Sequence, residues 1–164
     1  MCIRDSGKTD GTLAKLSDVA AGNGGFAITG ATAAGKIGAA LSAAGDVNGD
    51  GLADFIIGDA CAAVGAGAAY VVFGKASTSA VSLAAVASGS GGFAINGATA
   101  GDKAGQSVSG GSDINGDGFD DLVVGAYGVD FSGTVKDSGA TYVVFGKAST
   151  TAAVSYTHLR AHET

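Results

Sequence analysis

Proline and tryptophan are absent from the 164 residues, cysteine and histidine number two each, and lysine and arginine together only nine. Each shortage removes a class of function. Nine basic residues against fifteen acidic ones give a formal charge of −6 with no basic patch, so a nucleic-acid partner is not expected. No apolar run is long enough to span a bilayer, so membrane insertion is not expected either. Both histidines and one cysteine fall in terminal stretches, residues 1–6 and 154–164, that break abruptly from the Gly/Ala/Val/Ser texture between them. These tails resemble translated sequencing-adapter readthrough and are set aside, as an expression scar would be. No signal peptide is visible, and a non-native start carries no information on that point. Setting the tails aside removes His158 and His162, whose i, i+4 spacing would otherwise suit zinc, and leaves Cys61 as the only thiol. No intrachain disulfide is then available. With no histidine to activate it and alanine around it, Cys61 reads as a small buried hydrophobe. Nothing remains that resembles a Ser-His or Cys-His pair, and the chain is not expected to be an enzyme. Among the polar residues outside the loops, Asp59 and Lys103 are the two leftovers to watch for a catalytic role.

What the chain has in quantity is glycine, 30 residues of it, and alanine and valine, a composition that favours tightly packed strands and turns over helices. It also has a nine-residue stretch that occurs twice, Asp46-Val47-Asn48-Gly49-Asp50-Gly51-Leu52-Ala53-Asp54 and Asp113-Ile114-Asn115-Gly116-Asp117-Gly118-Phe119-Asp120-Asp121. Each copy carries oxygen-bearing side chains at positions 1, 3, 5 and 9 and glycine at 4 and 6. Calcium takes six to eight hard oxygen ligands, and alternate residues in a tight turn aim theirs at one centre. Asp46, Asn48, Asp50, the Leu52 carbonyl and Asp54 form one candidate set; Asp113, Asn115, Asp117, the Phe119 carbonyl and Asp121 form the other. Gly51 and Gly118 permit a turn with positive φ. Asn-Gly and Asp-Gly are also strong hairpin turns that need no metal. The recurrence of the same four oxygen positions favours the ion. So does charge: carboxylates about 4 Å apart repel by about 1–4 kcal/mol, which a cation removes.

Position 12 of each loop is Ile57 or Val124, not the glutamate an EF-hand requires, and the residues that follow are β-favouring runs. The loop therefore reads as a hairpin tip. A shift of 67 residues aligns 24–58 with 91–125, with 19 of 35 positions identical, and a shift of 72 aligns 70–78 with 142–150, identical throughout. The difference places a five-residue insertion between Gly125 and Tyr142. A period of this size with four β-like runs is the pattern of a propeller or array. The runs fall at 38–45 and 105–112, 54–58 and 121–125, 68–74 and 140–146, and 93–97, echoed by 26–30. Residues 75–91 and 8–24 read as long surface loops with at most one helical turn. The expected organisation is an end of a preceding blade at 7–37, a whole blade at 38–97 and an incomplete second blade at 98–153.

Phe73-Gly74 and Phe145-Gly146, the two Asp-x-Asn-x-Asp-Gly-x-x-Asp loops, and the Gly-Asp-Ala and Gly-Ala-Tyr that begin at Gly58 and Gly125 resemble FG-GAP repeats, the blades of the integrin α-chain propeller and of many secreted bacterial proteins. The motif's proline is missing here, which loosens the turn after the second strand. The resemblance implies an all-β fold, about two four-stranded antiparallel blades of a seven-bladed β-propeller whose other blades lie elsewhere in the parent protein. It implies two structural Ca²⁺ ions in the hairpins between first and second strands, and an extracellular protein or carbohydrate partner engaged on the opposite face, where 59–67, 98–103 and 127–139 emerge. The insertion there carries Asp130, Phe131, Lys136 and Asp137. The expected role is a calcium-stabilised adhesion or binding module, extracellular or at the cell surface. The alternative is a flank of a secreted hydrolase or lyase whose catalytic residues lie outside this chain.

Overall fold

The computed structural model describes residues 15–31, 35–130 and 137–148. Both terminal tails, His158, His162 and Cys2 lie outside these residues, as do Phe131 and Lys136 of the insertion. In chain order the elements are helix α1 (Leu16–Ala20), strands β1 (Ile28–Thr29), β2 (Ala40–Gly45) and β3 (Asp54–Asp59), helix α2 (Ala62–Gly65), strands β4 (Ala68–Val72) and β5 (Val81–Ser82), helix α3 (Leu83–Ala87), and strands β6 (Gly92–Asn96), β7 (Ala104–Ser112), β8 (Asp121–Ala126) and β9 (Ala140–Val144). None of the described helices is long and apolar enough to cross a membrane.

The fold is all-β in its framework. β2-β3-β4-β6 form a four-stranded antiparallel meander, and β7-β8-β9 form a second antiparallel sheet of three strands among the described residues. The strands coincide with the expected runs to within a few residues at each end. The stretch echoing the fourth strand does not pair in the same way: β1 is two residues long and lies parallel to β5, having no antiparallel neighbour among the described residues. The segment after the first Phe-Gly, read as a surface loop, holds β5 and α3, and Leu83 and Val86 of α3 are fully buried. Their i, i+3 spacing puts both on one helix face, which the surrounding Ser and Ala obscured.

Alternation along each strand sends side chains to opposite faces. Ile56, Val71, Phe93 and Ile95 face the second sheet, where they meet Leu122, Val124 and Val144. Ile57, Tyr70, Val72 and Ala94 face the other way, onto α3, with Ile28, Ile37 and Val81 packed at the margin. β4 is buried along its whole length, the pattern of a strand covered on both faces. The sheets come together so closely that a Cβ on Gly58 would overlap the carbonyl oxygen of Gly105. Glycine is therefore required where β3 crosses β7.

The repeat makes the packing translational. Val123 and Val143 are the counterparts of Ile56 and Val71, yet they lie on the far face of the second sheet, where Val143 is 44 % exposed whereas Val71 is 0 % exposed. The same residue type at the same repeat position should thus differ in energetic weight. Val71→Ala is expected to lower unfolding stability by about 1.5–3 kcal/mol through lost burial and a cavity, and Val143→Ala by less than about 0.5 kcal/mol. Urea midpoints with unchanged slopes would show it; equal effects of the two would contradict this packing.

Candidate functional site

Both nine-residue loops are the hairpin connections at one end of the sheets, one between β2 and β3, the other between β7 and β8. Their turns are hydrogen-bonded alike, the second loop adding one bond from the Asn115 amide to Asp121 Oδ2 at 3.3 Å. Asp46 Oδ1 accepts the amides of Gly49 (2.7 Å) and Asp50 (3.0 Å), and its Oδ2 accepts that of Gly51 (2.8 Å). Asp113 accepts from Gly116 (2.7 Å), Asp117 (3.1 Å) and Gly118 (2.8 Å). In the first loop Asn48 Oδ1 accepts the Asp50 amide and Asn48 Nδ2 donates to Asp50 Oδ2, both at 2.9 Å; Asn115 and Asp117 repeat the pair. Gly51 and Gly118 have φ of +83° and +90°, the turn that the sequence called for.

Positions 1, 3 and 5 are exposed in the second loop, and in the first Asp50 is exposed while Asp46 and Asn48 are half-buried; position 9 is buried in both, Asp54 and Asp121 being each 1 % exposed. Asp54 Oδ2 accepts the Val47 amide (3.0 Å) and Oδ1 accepts the amide of Gly74 (2.7 Å), the glycine of Phe-Gly. Asp121 does the same with Ile114 (2.7 Å) and Gly146 (2.9 Å). The carboxylate at position 9 thus closes the hairpin and pins the exit of the third strand to it. Glycine is needed at that exit because a Cβ on Gly74 would stand 2.5 Å from the Ala53 carbonyl oxygen, and one on Gly146 2.5 Å from that of Asp120.

Burial pushes the Asp54 carboxyl above its ordinary 3.8; the Gly74 and Val47 amides counter it, and the charges of Asp50 and Asp46 add to it. Asp113, in the exposed turn, is held below 3.8, first by the Gly118 amide and then by those of Gly116 and Asp117.

The donor chemistry fits a hard divalent cation: carboxylate, amide and carbonyl oxygens only, and a carboxylate oxygen that accepts one N–H keeps a second lone pair. The residues that would hold the ion are Asp46, Asn48, Asp50, the Leu52 carbonyl and Asp54, and their counterparts Asp113, Asn115, Asp117, the Phe119 carbonyl and Asp121. Among the described residues no three acidic, histidine or cysteine side chains gather into a group that could hold a metal as they stand. Each position-9 carboxylate is turned to backbone amides.

The opposite end of the sheets gathers the loops 59–67 and 98–103 and the described residues 127–130 and 137–139. Gly101 and Lys103 donate to the Gly65 carbonyl, Gly97 to that of Gly67, and Gly128 to that of Asp102. Two buried carboxylates that sequence reasoning did not single out as structural organise these turns. Asp59 accepts the amides of Cys61 (3.1 Å) and Lys36 (3.3 Å), and Asp102 accepts that of Thr99 (2.8 Å). Asp59, set aside in the sequence as a leftover, is committed to the backbone. Lys103 adopts φ of +58° at the start of β7. The ends of the insertion are tied by the Asp137 amide donating to Asp130 Oδ1 at 2.7 Å. Cys61 corrects the expectation for it: it is exposed, because it stands in the turn that opens α2 and not on a strand.

Removing the Asp54 carboxylate would strand two amides, one of them in a buried bond, whether or not an ion is bound. Asp54→Ala, measured in EDTA, is expected to lose about 1–3 kcal/mol; a neutral result would contradict the clamp.

No curated protein matches the chain. Residues 104–144, the span from β7 to β9 that includes the second loop, match the family model described as FG-GAP repeat. With its loop and antiparallel strands in place, the second sheet of this chain is similar to an FG-GAP repeat over those residues.

Proposed function

We propose that the chain is a calcium-stabilised, non-catalytic binding module of a secreted or cell-surface protein, its sheets being successive blades of a propeller. The observation that carries the calcium reading is the recurrence of one acidic loop, hydrogen-bonded alike, 67 residues apart in sequence. The turn's own hydrogen bonds use these oxygens; what supports an ion is that each loop brings three carboxylates and an amide oxygen into one nine-residue turn, a set of hard donors whose mutual repulsion a cation would remove. The ions, one per loop, are structural. In the unfolded chain the ligands are scattered, so binding adds to stability by mass action. Extracellular sites of this kind bind at about 10⁻⁴–10⁻³ M, which suits the calcium concentration outside cells.

The propeller reading is supported by what lies exposed. Ile114, Val143 and Phe145 are 56 %, 44 % and 55 % exposed, while their repeat counterparts Val47 and Val71 are at 1 % and 0 % and Phe73 packs edge-on against Phe93. The far face of the second sheet therefore offers the surface that, on the first sheet, is covered by the next repeat, and further blades of the same protein would bury it. The partner, an extracellular protein or carbohydrate, would engage the end opposite the calcium loops, where the connecting segments gather.

At a calcium concentration about 100 times Kd, each intact loop is expected to add about 2.7 kcal/mol. Thermal melting with and without calcium reads this out, and Asp50→Ala with Asp117→Ala should abolish the shift. An unchanged Tm on adding calcium to the wild type would refute the reading. The pH dependence has a definite sign. Calcium selects the ionised form of Asp54, whose carboxyl lies above 3.8 in the metal-free fold. As pH falls, the calcium-induced shift should begin to fade while still above pH 3.8. In the metal-free protein the raised carboxyl makes Asp54 favour folding more as pH falls through that same window, so the two trends oppose each other.

A further inference from the structure

The two loops touch each other, and the hydrogen bonds between them are made by a residue of the second loop that is not a candidate ligand. Asp120, at position 8 of the second loop, accepts the Asp46 amide on its Oδ2 at 2.8 Å, and its own amide donates to the Asp46 carbonyl at 3.2 Å. Asp46 is the residue whose carboxylate organises the first loop. The Lys147 amide, just past Gly146, donates to the Val47 carbonyl at 3.0 Å. The Phe119 ring lies against Gly49, where a Cβ would come within 2.5 Å of it. Gly45, at φ +73° beside a bulge in β2, leaves the space that the Asp120 carboxylate fills. None of this follows from the repeat itself: Ala53 stands where Asp120 would be in the first loop, and Ser112 stands in place of Gly45.

We propose that Asp120 is a positioning residue that couples the two loops, so that order in either one imposes order on the other. When the second loop opens, Asp120 leaves, and the part-buried Asp46 amide loses its acceptor at the head of the first loop. The first loop then loses the residue that holds Gly49, Asp50 and Gly51. Coupling of this kind is reciprocal. It extends the calcium reading, on which only its second consequence rests: an ion bound in one loop would raise the affinity of the other.

Amide hydrogen exchange on the full chain in EDTA tests the coupling without metal. Asp113→Ala removes the carboxylate that accepts three amides in the second loop. It is expected to speed exchange about tenfold at Gly49, Asp50 and Gly51 as well as in its own loop. In an Asp120→Ala background the first loop should already exchange fast, and Asp113→Ala should change it no further. Asp120→Asn, which keeps an oxygen acceptor, should restore much of the protection. Slow exchange at Tyr70 and Val71 marks an intact fold; where Asp113→Ala loses it, Asp113→Asn opens the second loop more gently. First-loop exchange that ignores the second loop, or that responds equally with and without Asp120, would overturn the proposal. Calcium titration then separates the two readings. Asp50→Ala should weaken binding at the second loop only while Asp120 is present. Coupled exchange without any calcium response would retire the calcium reading and leave the coupling standing.

Discussion

A buried carboxylate that accepts two backbone amides is the constraint on which each sheet depends. Asp54 ties the second residue of its hairpin to the glycine leaving the third strand, and Asp121 repeats the tie. Three segments distant in sequence are fixed at one point: the loop, the start of β3 or β8, and the exit of β4 or β9. Burying a charge is costly, and the raised Asp54 carboxyl is the mark of that cost. Two charge-assisted hydrogen bonds offset it, and such bonds are roughly twice as strong as neutral ones. The Phe-Gly glycine and the loop's last aspartate are therefore one device. The glycine must lack a side chain so that its amide can reach the carboxylate past the carbonyl oxygen of the residue before it.

From that point the sheets propagate by stacking. The first sheet presents one apolar face to the second sheet, as Ile56 against Leu122 illustrates, and the other to its own α3 and to the segment before β2, as Ile57 with Leu83, Ile28 and Ile37 illustrates. β4 is buried on both sides, by the second sheet on one face and by α3 on the other, so both covers contribute to holding it. Small residues follow from the close approach at Gly58 and Gly105, which explains a composition rich in glycine and alanine better than any helical preference would.

Much of this was legible in the sequence because the repeat doubled every signal. The two sheets, the placing of the loops between first and second strands, and the positive-φ glycines could all be read from residues 38–58 and their echo. Other features were hidden for physical reasons. Helix α3 is five residues long, and its two buried residues stand among alanines that give no contrast. Cys61 looked like core because its neighbours are apolar, but it opens a turn. Asp59 and Asp102 cap backbone turns, a role that composition cannot distinguish from a solvated carboxylate. Position 9 was read as a metal ligand alone; its bonds to Val47 and Gly74 cross 7 and 20 residues, and only the fold brings those amides together.

Identity between repeats reveals architecture, whereas the departures from identity reveal direction. Where the copies agree, as at Asp46 and Asp113, a residue serves its own hairpin. The pairs Ala53/Asp120 and Gly45/Ser112 break the symmetry, and they do so where the Asp120 carboxylate meets the head of the first loop. A side chain present in one copy with its matching space in the other cannot be explained by the needs of a single blade. It is explained by a junction with a donor side and an acceptor side, and such a junction accepts one order of blades and one register. The latch at Asp120 therefore does for this pair of repeats what apolar burial between the sheets cannot do alone, because methyl groups fill a space without specifying which neighbour fills it.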